Sequence, residues 1–256
     1  MHPDRTMKPG RPAALDSDPE SGIESGIESG LASGSDSDLD SGPDSGSIAA
    51  PDPAPILNTR ADYIGLLPEA RQVACSNWDD RPDGMLAELL VIHNISLPPQ
   101  EFGGPWIEAL FQNRLDPNAH PYFANIAGVR LSSHLLIRRD GELIQFVDLR
   151  KRAWHAGRSC FEGRNACNDF SIGIELEGAD CIPFMEAQYR RLASVTIEIM
   201  RRFPAITRER ITGHSDIAPG RKTDPGPAFD WKQYLALLDQ QMKTAGLPSA
   251  PADPCR

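Results

Sequence analysis

The chain has 256 residues, 40% of them hydrophobic, enough for one domain of ordinary size or two small ones. Its formal charge of −10 is unevenly placed: residues 1–55 hold eleven Asp/Glu against three Lys/Arg, so the remainder is close to neutral and lacks the basic footprint that nucleic-acid binding needs. No apolar run approaches the roughly 20 residues of a membrane span. The five cysteines (Cys75, Cys160, Cys167, Cys181 and Cys255) form no C-x-x-C pair, which speaks against a thiolate metal site or a thioredoxin-like redox pair.

The opening M-H-P-D-R-T-M-K-P-G lacks the apolar core of a secretory leader. The expectation is therefore a cytoplasmic monomer with reduced thiols and neither nucleic-acid nor membrane partners. Residues 1–60 read as a disordered acidic extension: S-G-I-E-S-G-I-E-S-G and S-G-S-D-S-D-L-D-S-G offer almost nothing apolar to offset the entropy of ordering. A solvated spacer is the simplest role for it, and Pro51, Pro53 and Pro55 mark its end.

From there the pattern turns globular. L-A-E-L-L-V-I-H-N-I-S (Leu86 to Ser96) predicts a buried strand that delivers His93 and Asn94 at its C-terminal end. A short amphipathic helix is predicted over Trp106 to Phe111, followed by the turn-rich D-P-N-A-H-P-Y-F. Two apolar runs flank Asp140 and Gly141, a pair suited to a type I′ hairpin turn. F-S-I-G-I-E-L-E-G alternates, with Ile172, Ile174 and Leu176 on one face and Gly173, Glu175 and Glu177 on the other. Helices are predicted over Met185 to Phe203, and over Trp231 to Thr244 behind an Asp230 N-cap. The fold class is α/β: one domain over 61–245, a central mixed β-sheet flanked by α-helices, with a flexible tail over 246–256.

The chemistry concentrates in G-H-S-D-I-A-P-G-R-K-T-D-P-G-P, which holds His214, Lys222 and Asp224 in one loop stiffened by proline and glycine. A histidine and a carboxylate there suit two ligands of a single zinc ion. Zinc hydrolases use three protein ligands and leave a fourth position for water. His93, His120, His134 and His155 are candidates for the third ligand. His93, at the end of an apolar strand, is preferred over an interior hydrogen-bonding role, with His134 second. His120 and His155 read as substrate-contact or loop-packing residues.

Glu175 stands mid-strand between two apolar residues, a poor place for a solvated charge. A carboxylate forced into a cleft has its pKa raised by desolvation and suits general-base work; Glu177 competes for the role. Lys222, two residues before a proposed ligand, suits stabilisation of an oxyanion, while its neighbour Arg221 is assigned to solvent. No G-x-S-x-G elbow supports a serine nucleophile, and no cysteine sits in an electropositive motif.

V-I-H-N-I-S-L-P-P-Q-E-F-G-G-P-W, D-P-N-A-H-P-Y-F, L-I-R-R-D-G-E, R-A-W-H-A-G, C-N-D-F-S-I-G-I-E-L-E-G and the His214 loop closely resemble the AmpD-type amidases, the 1,6-anhydro-N-acetylmuramyl-L-alanine amidases of peptidoglycan recycling. The likeness runs from about Leu67 to Leu238. It implies one Zn²⁺ held by His93, His214 and Asp224, with Glu175 as catalytic acid/base and Lys222 stabilising the tetrahedral intermediate. It also implies a substrate cleft lined by Asn94, Tyr122, Arg130 and Trp154, an anhydromuropeptide as substrate, and hydrolysis of the amide between the lactyl group and L-alanine. One departure stands out: where the family has an arginine just before C-N-D-F, this chain has Ala166, with Arg164 two residues away. An autolysin acting on intact wall and a non-catalytic muropeptide sensor are the alternative readings.

Overall fold

The structure, a computed structural model, describes residues 65–247. The acidic extension expected over 1–60 lies outside the described residues, as does the expected tail from 248 onward.

Ten short strands and four α-helices carry the described fold. The strands are β1 (Arg71–Gln72), β2 (Trp78–Asp79), β3 (Leu89–Ile95), β4 (Leu135–Ile137), β5 (Leu143–Gln145), β6 (Arg152–Ala153), β7 (Cys160–Phe161), β8 (Arg164–Asn165), β9 (Ser171–Glu177) and β10 (Ile211–Gly213). The helices are α1 (Trp106–Phe111), α2 (Glu186–Arg202), α3 (His214–Ile217) and α4 (Trp231–Ala245). Six strands form one sheet in the order β1-β5-β4-β9-β3-β10, and the other four form two small ribbons. Only the β4–β5 pair of the large sheet is antiparallel, which makes it mixed, as the sequence predicts.

β3 and β9 sit side by side near the middle of the sheet, and their seven-residue runs are almost wholly buried. That is why β3 begins as a continuous apolar run, the signature of a strand covered on two sides, whereas β9 alternates and buries its polar residues as well. One face takes Leu90, Ile92, Ile172, Ile174 and Leu176 into a single large core with Leu192, Ile199 and Phe203 around α2 and Tyr234, Leu238 and Met242 of α4. The two helices are tied by a buried hydrogen bond of 2.8 Å between Thr196 Oγ1 and Tyr234 Oη. Asp230 caps α4 by accepting from the Gln233 N–H at 2.9 Å. Gly246, at φ +67°, ends the helix, and the Leu247 N–H donates back to the Met242 carbonyl.

The opposite face is built differently. Ile107, Leu110, Phe111, Phe123, Leu136 and Phe146 form one cluster; Leu89, Val91, Ala156, Cys167, Phe170 and Ile217 form another. On this face β3 and β9 set the polar residues His93, Ser171, Glu175 and Glu177 among Leu89, Val91, Ile95 and Gly173.

The β4–β5 connection departs from the expected type I′ turn. That turn needs positive φ at both central residues, but Gly141 (φ +89°) is the only residue of the connection in that region. The Gly141 N–H donates to the Arg138 carbonyl and the Arg138 N–H to the Glu142 carbonyl, so Gly141 closes a tighter turn as a bulge residue.

Candidate active site

Strand register builds the site. His93 on β3 is paired directly with Glu175 on β9, and β4 presents Leu136 at the same level. Paired residues of parallel neighbours face the same side of the sheet, so His93 and Glu175 project together from the less apolar face. On the other side of β3, Gly213 pairs with Ile92, and His214 follows one residue later as the chain turns into α3. Asp216 holds that turn by accepting from the Gly213 N–H (2.9 Å) and the Thr212 hydroxyl (3.0 Å). Asp224 returns beside it because the Ser215 N–H donates to its carbonyl oxygen at 2.9 Å.

The result is a tight triangle. His93 Nδ1 and His214 Nδ1 are 3.0 Å apart, and each approaches Asp224 Oδ2, at 3.0 and 3.1 Å. All three side chains are buried. Among the described residues, they are the group of histidine and carboxylate ligand atoms close enough to share a metal ion. Burial lowers the His93 imidazole to about 4, helped by His214, so it is neutral and keeps a lone pair. Burial alone would raise the Asp224 carboxyl, but the His214 and His93 imidazoles outweigh it and hold the group well below the ordinary carboxylate range. Binding a divalent ion requires deprotonated donors, which the neutral His93 imidazole and the Asp224 carboxylate supply. Tetrahedral ligands about 2.0–2.1 Å from zinc lie about 3.3–3.4 Å from one another, close to the spacing present.

A cleft open to solvent covers this triangle. His93, Asn94, Tyr122, Trp154, Glu175, His214, Lys222 and Asp224 all line it. Glu175 is 9% exposed, confirming that its strand position takes it out of bulk water. Asn94 is held by Asp180, its Nδ2 donating to Oδ1 at 2.8 Å, and Trp154 Nε1 donates to Asp79 Oδ1 at 3.3 Å. Arg130 is exposed and does not line the cleft. Near the Ala166 position, Arg164 pairs with Glu88 and stacks its guanidinium 3.8 Å from the centre of the Phe170 ring, and it does not reach the cleft.

Several side chains lie where the sequence reading does not put them. Glu177 is a structural ion-pair partner: 2% exposed, it binds Arg138 Nη1 at 2.9 Å and accepts from the Gly103 N–H at 2.7 Å. His134 is buried beneath the site with both nitrogens occupied. Its Nδ1 accepts from the Gly173 N–H at 3.0 Å, so Nε2 carries the proton and donates to the Lys151 carbonyl at 3.0 Å. His120 caps the 3-10 helix over Pro121–Asn125, accepting from the Tyr122 N–H. His155, expected to contact substrate or pack the loop, lines the cleft and is buried against His93, Nδ1 to Nε2 at 2.9 Å. Arg221 is half-buried rather than solvated, and its Nη2 donates to the Ala156 and Arg158 carbonyls at 2.7 and 2.8 Å. Arg81 has no role in the sequence reading, yet its guanidinium lies in a cage of the Asn168, Asp169, Leu149 and Ser171 carbonyls, with burial lowering its pKa to about 10. The sequence offers no signal for that cage, since every acceptor is backbone.

Two imidazoles and two carboxylates on the polar face of a mixed sheet, with a lysine at the cleft wall, define a hydrolase site. The profile of the family described as N-acetylmuramoyl-L-alanine amidase matches residues 83–227, and the chain belongs to that family. It is 60% identical over 174 residues to the 1,6-anhydro-N-acetylmuramyl-L-alanine amidase AmpD of Citrobacter freundii, covering 68% of this chain and 92% of that protein. It is 57% identical to the Escherichia coli (strain K12) protein of the same name, covering 69% and 96%. A crystal structure of a selenomethionine AmpD derivative superposes with a TM-score of 0.67 at 60% identity, covering 68% of this chain and 97% of that one. The chain is thus an amidase with the AmpD-like single-domain fold.

Proposed function

We propose that the chain is a zinc-dependent amidase that cleaves the amide between the lactyl group of 1,6-anhydro-N-acetylmuramic acid and the L-alanine of the stem peptide, in cytoplasmic peptidoglycan recycling. The observation that carries this reading is the buried His93–His214–Asp224 triangle beside Glu175, in a chain 57–60% identical to proteins named for that substrate. In this reading the catalytic unit spans 61–245 and acts as a monomer. The four described cysteines are all unbridged, which suits a reducing compartment, and among the described residues no helix is long and apolar enough to cross a membrane.

His93, His214 and Asp224 are the residues that would hold the zinc. Bound there, zinc acts as a Lewis acid and lowers the pKa of water to about 7. The remaining steps belong to the chain. Asn94, fixed by Asp180, and the walls formed by Tyr122 and Trp154 orient the muropeptide with its lactyl carbonyl over the cluster. Glu175 accepts the proton of the attacking water through its carboxylate and then passes it to the departing L-alanine nitrogen, so one carboxyl group serves both halves of the reaction. The Lys222 ammonium at the cleft wall balances the charge that develops on the carbonyl oxygen, worth about 3 kcal/mol in comparable oxyanion sites.

Mass spectrometry of products from anhydromuropeptide and from intact sacculi, each with and without zinc, tests the proposal. Release of stem peptide from anhydromuropeptide, dependent on zinc, is the expected result. Retention of the ligand without product would leave only a binding protein, and equal activity on sacculi would move the substrate to intact wall.

A further inference from the structure

The two histidines of the triangle are held in different ways. His214 Nε2 lies 3.2 Å from the Ala156 carbonyl oxygen, which can only accept. That places the His214 proton on Nε2 and leaves Nδ1 with its lone pair. His93 Nε2 instead meets another imidazole, His155 Nδ1, at 2.9 Å, with the rings 5.0 Å apart and nearly perpendicular (85°). His155 Nε2 in turn lies 3.1 Å from Ser171 Oγ. His155 and Ser171 are both buried. The backbone makes room for this ring: a Cβ on Gly173 would lie 2.6 Å from His155 Cγ and Nδ1.

A nitrogen-to-nitrogen hydrogen bond holds one proton, so the chain His93–His155–Ser171 has two arrangements. In the first, His93 Nε2–H donates to His155 Nδ1 and His155 Nε2–H donates to Ser171 Oγ. In the second, every donor and acceptor is exchanged. A neutral imidazole carries one N–H, so the second arrangement puts the His93 proton on Nδ1, facing Asp224, where it occupies the lone pair a metal ion needs. We propose that His155 is a positioning residue: it accepts the outward N–H of His93 and so keeps His93 Nδ1 open toward the cluster. Ser171 completes the arrangement by taking the His155 proton, and Gly173 gives the ring its place. This inference rests on the zinc reading, but the bond it invokes is present without a metal.

The test uses the full chain and two substitutions. His155→Leu keeps bulk and removes the acceptor, whereas His155→Asn keeps an acceptor oxygen near the position of Nδ1. Chelator competition is expected to show zinc affinity about 10–100-fold weaker in His155→Leu, the usual effect of losing a partner behind a metal ligand, with most of the loss recovered in His155→Asn. The second readout is nitrogen-15 NMR of the unsubstituted protein: a coupling across the His93 Nε2–His155 Nδ1 hydrogen bond, with the proton on His93 once zinc is added. Wild-type zinc affinity in folded His155→Leu, or a proton on His155 Nδ1 in the zinc-loaded protein, would overturn the proposal. If His155→Leu does not fold, the NMR result on the unsubstituted chain decides alone. If the unsubstituted chain takes up no zinc, the zinc reading is lost, and an absent coupling in the metal-free protein would separately remove His155 from this role.

Discussion

The two faces of the central sheet divide the work. Both are built from the same strands, yet alternate residues have opposite purposes. Ile172, Ile174 and Leu176 enter the large core under α2 and α4; Gly173 and Glu175, interleaved with them, belong to the site. The helix-covered face supplies stability through close packing, where side-chain identity matters mainly as volume. The cleft face gives up some of that packing and holds His93, His155, His134 and Glu175 in hydrogen-bonded or electrostatic arrangements, where each atom's donor or acceptor character matters. The lesson is that a substitution's effect follows the parity of its strand position more than its depth.

That division predicts a separation of effects. On the cleft face, Glu175→Ala is expected to lower turnover of anhydromuropeptide by about 10²–10⁴-fold, the range for a general acid/base, with zinc content and thermal stability nearly unchanged. Unchanged turnover at full zinc occupancy would remove Glu175 from the mechanism. One residue earlier, on the other face, Ile174→Ala empties part of a fully buried core site and is expected to cost about 2–5 kcal/mol of stability by denaturant unfolding. Turnover per folded molecule should change little; a large fall in it would blur the two faces.

Acid sharpens the contrast, because the titrating histidines lie on the cleft face. Burial, then Arg81, lowers His134 to about 3, and burial lowers His93 to about 4. In the unfolded chain both protonate near 6.5, so between about 6.5 and 4 the unfolded state binds more protons. Stability of the metal-free protein should therefore fall as pH drops through that window, at up to about 1.4 kcal/mol per pH unit for each histidine. A flat profile, checked by denaturant titration from pH 7 to 4, would mean these rings are protonated or exposed in the native state. The smallest effect is expected for Arg130→Ala: the residue is exposed and outside the cleft, so KM for anhydromuropeptide should stay near its original value. A several-fold rise would show that substrate reaches beyond the cleft or draws Arg130 toward it.

Much of this was legible in the sequence, for physical reasons that can be named. β3 and β9 are long enough, and buried on enough sides, for apolar continuity or alternation to show. α2 and α4 carry several turns of amphipathic pattern, and Asp230 marks the start of α4. His214, Lys222 and Asp224 share one stiff loop, so their proximity in space follows from proximity along the chain. What stayed hidden depends on long-range register. β1, β2, β6, β7 and β8 are two residues each, too short for any periodicity. Nothing local in R-A-W-H-A-G says that the His155 ring will lie over Gly173 and bond His93, although a glycine interrupting the alternating strand was a hint that something approaches the backbone closely. Glu177 and Glu175 both stand on the polar face of the strand in sequence; only the arrival of Arg138 and the Gly103 N–H separates the ion-pair partner from the carboxylate that lines the cleft.

X-ray absorption at the zinc edge, on the purified chain and on Asp224→Ala, probes the donor triangle itself. The account predicts one zinc per chain, with two imidazole nitrogens and one carboxylate oxygen at about 2.0–2.1 Å, and a spectrum that loses the oxygen or the metal altogether in Asp224→Ala. A protein that turns over anhydromuropeptide with no zinc bound, or with sulfur in the coordination sphere, would contradict it.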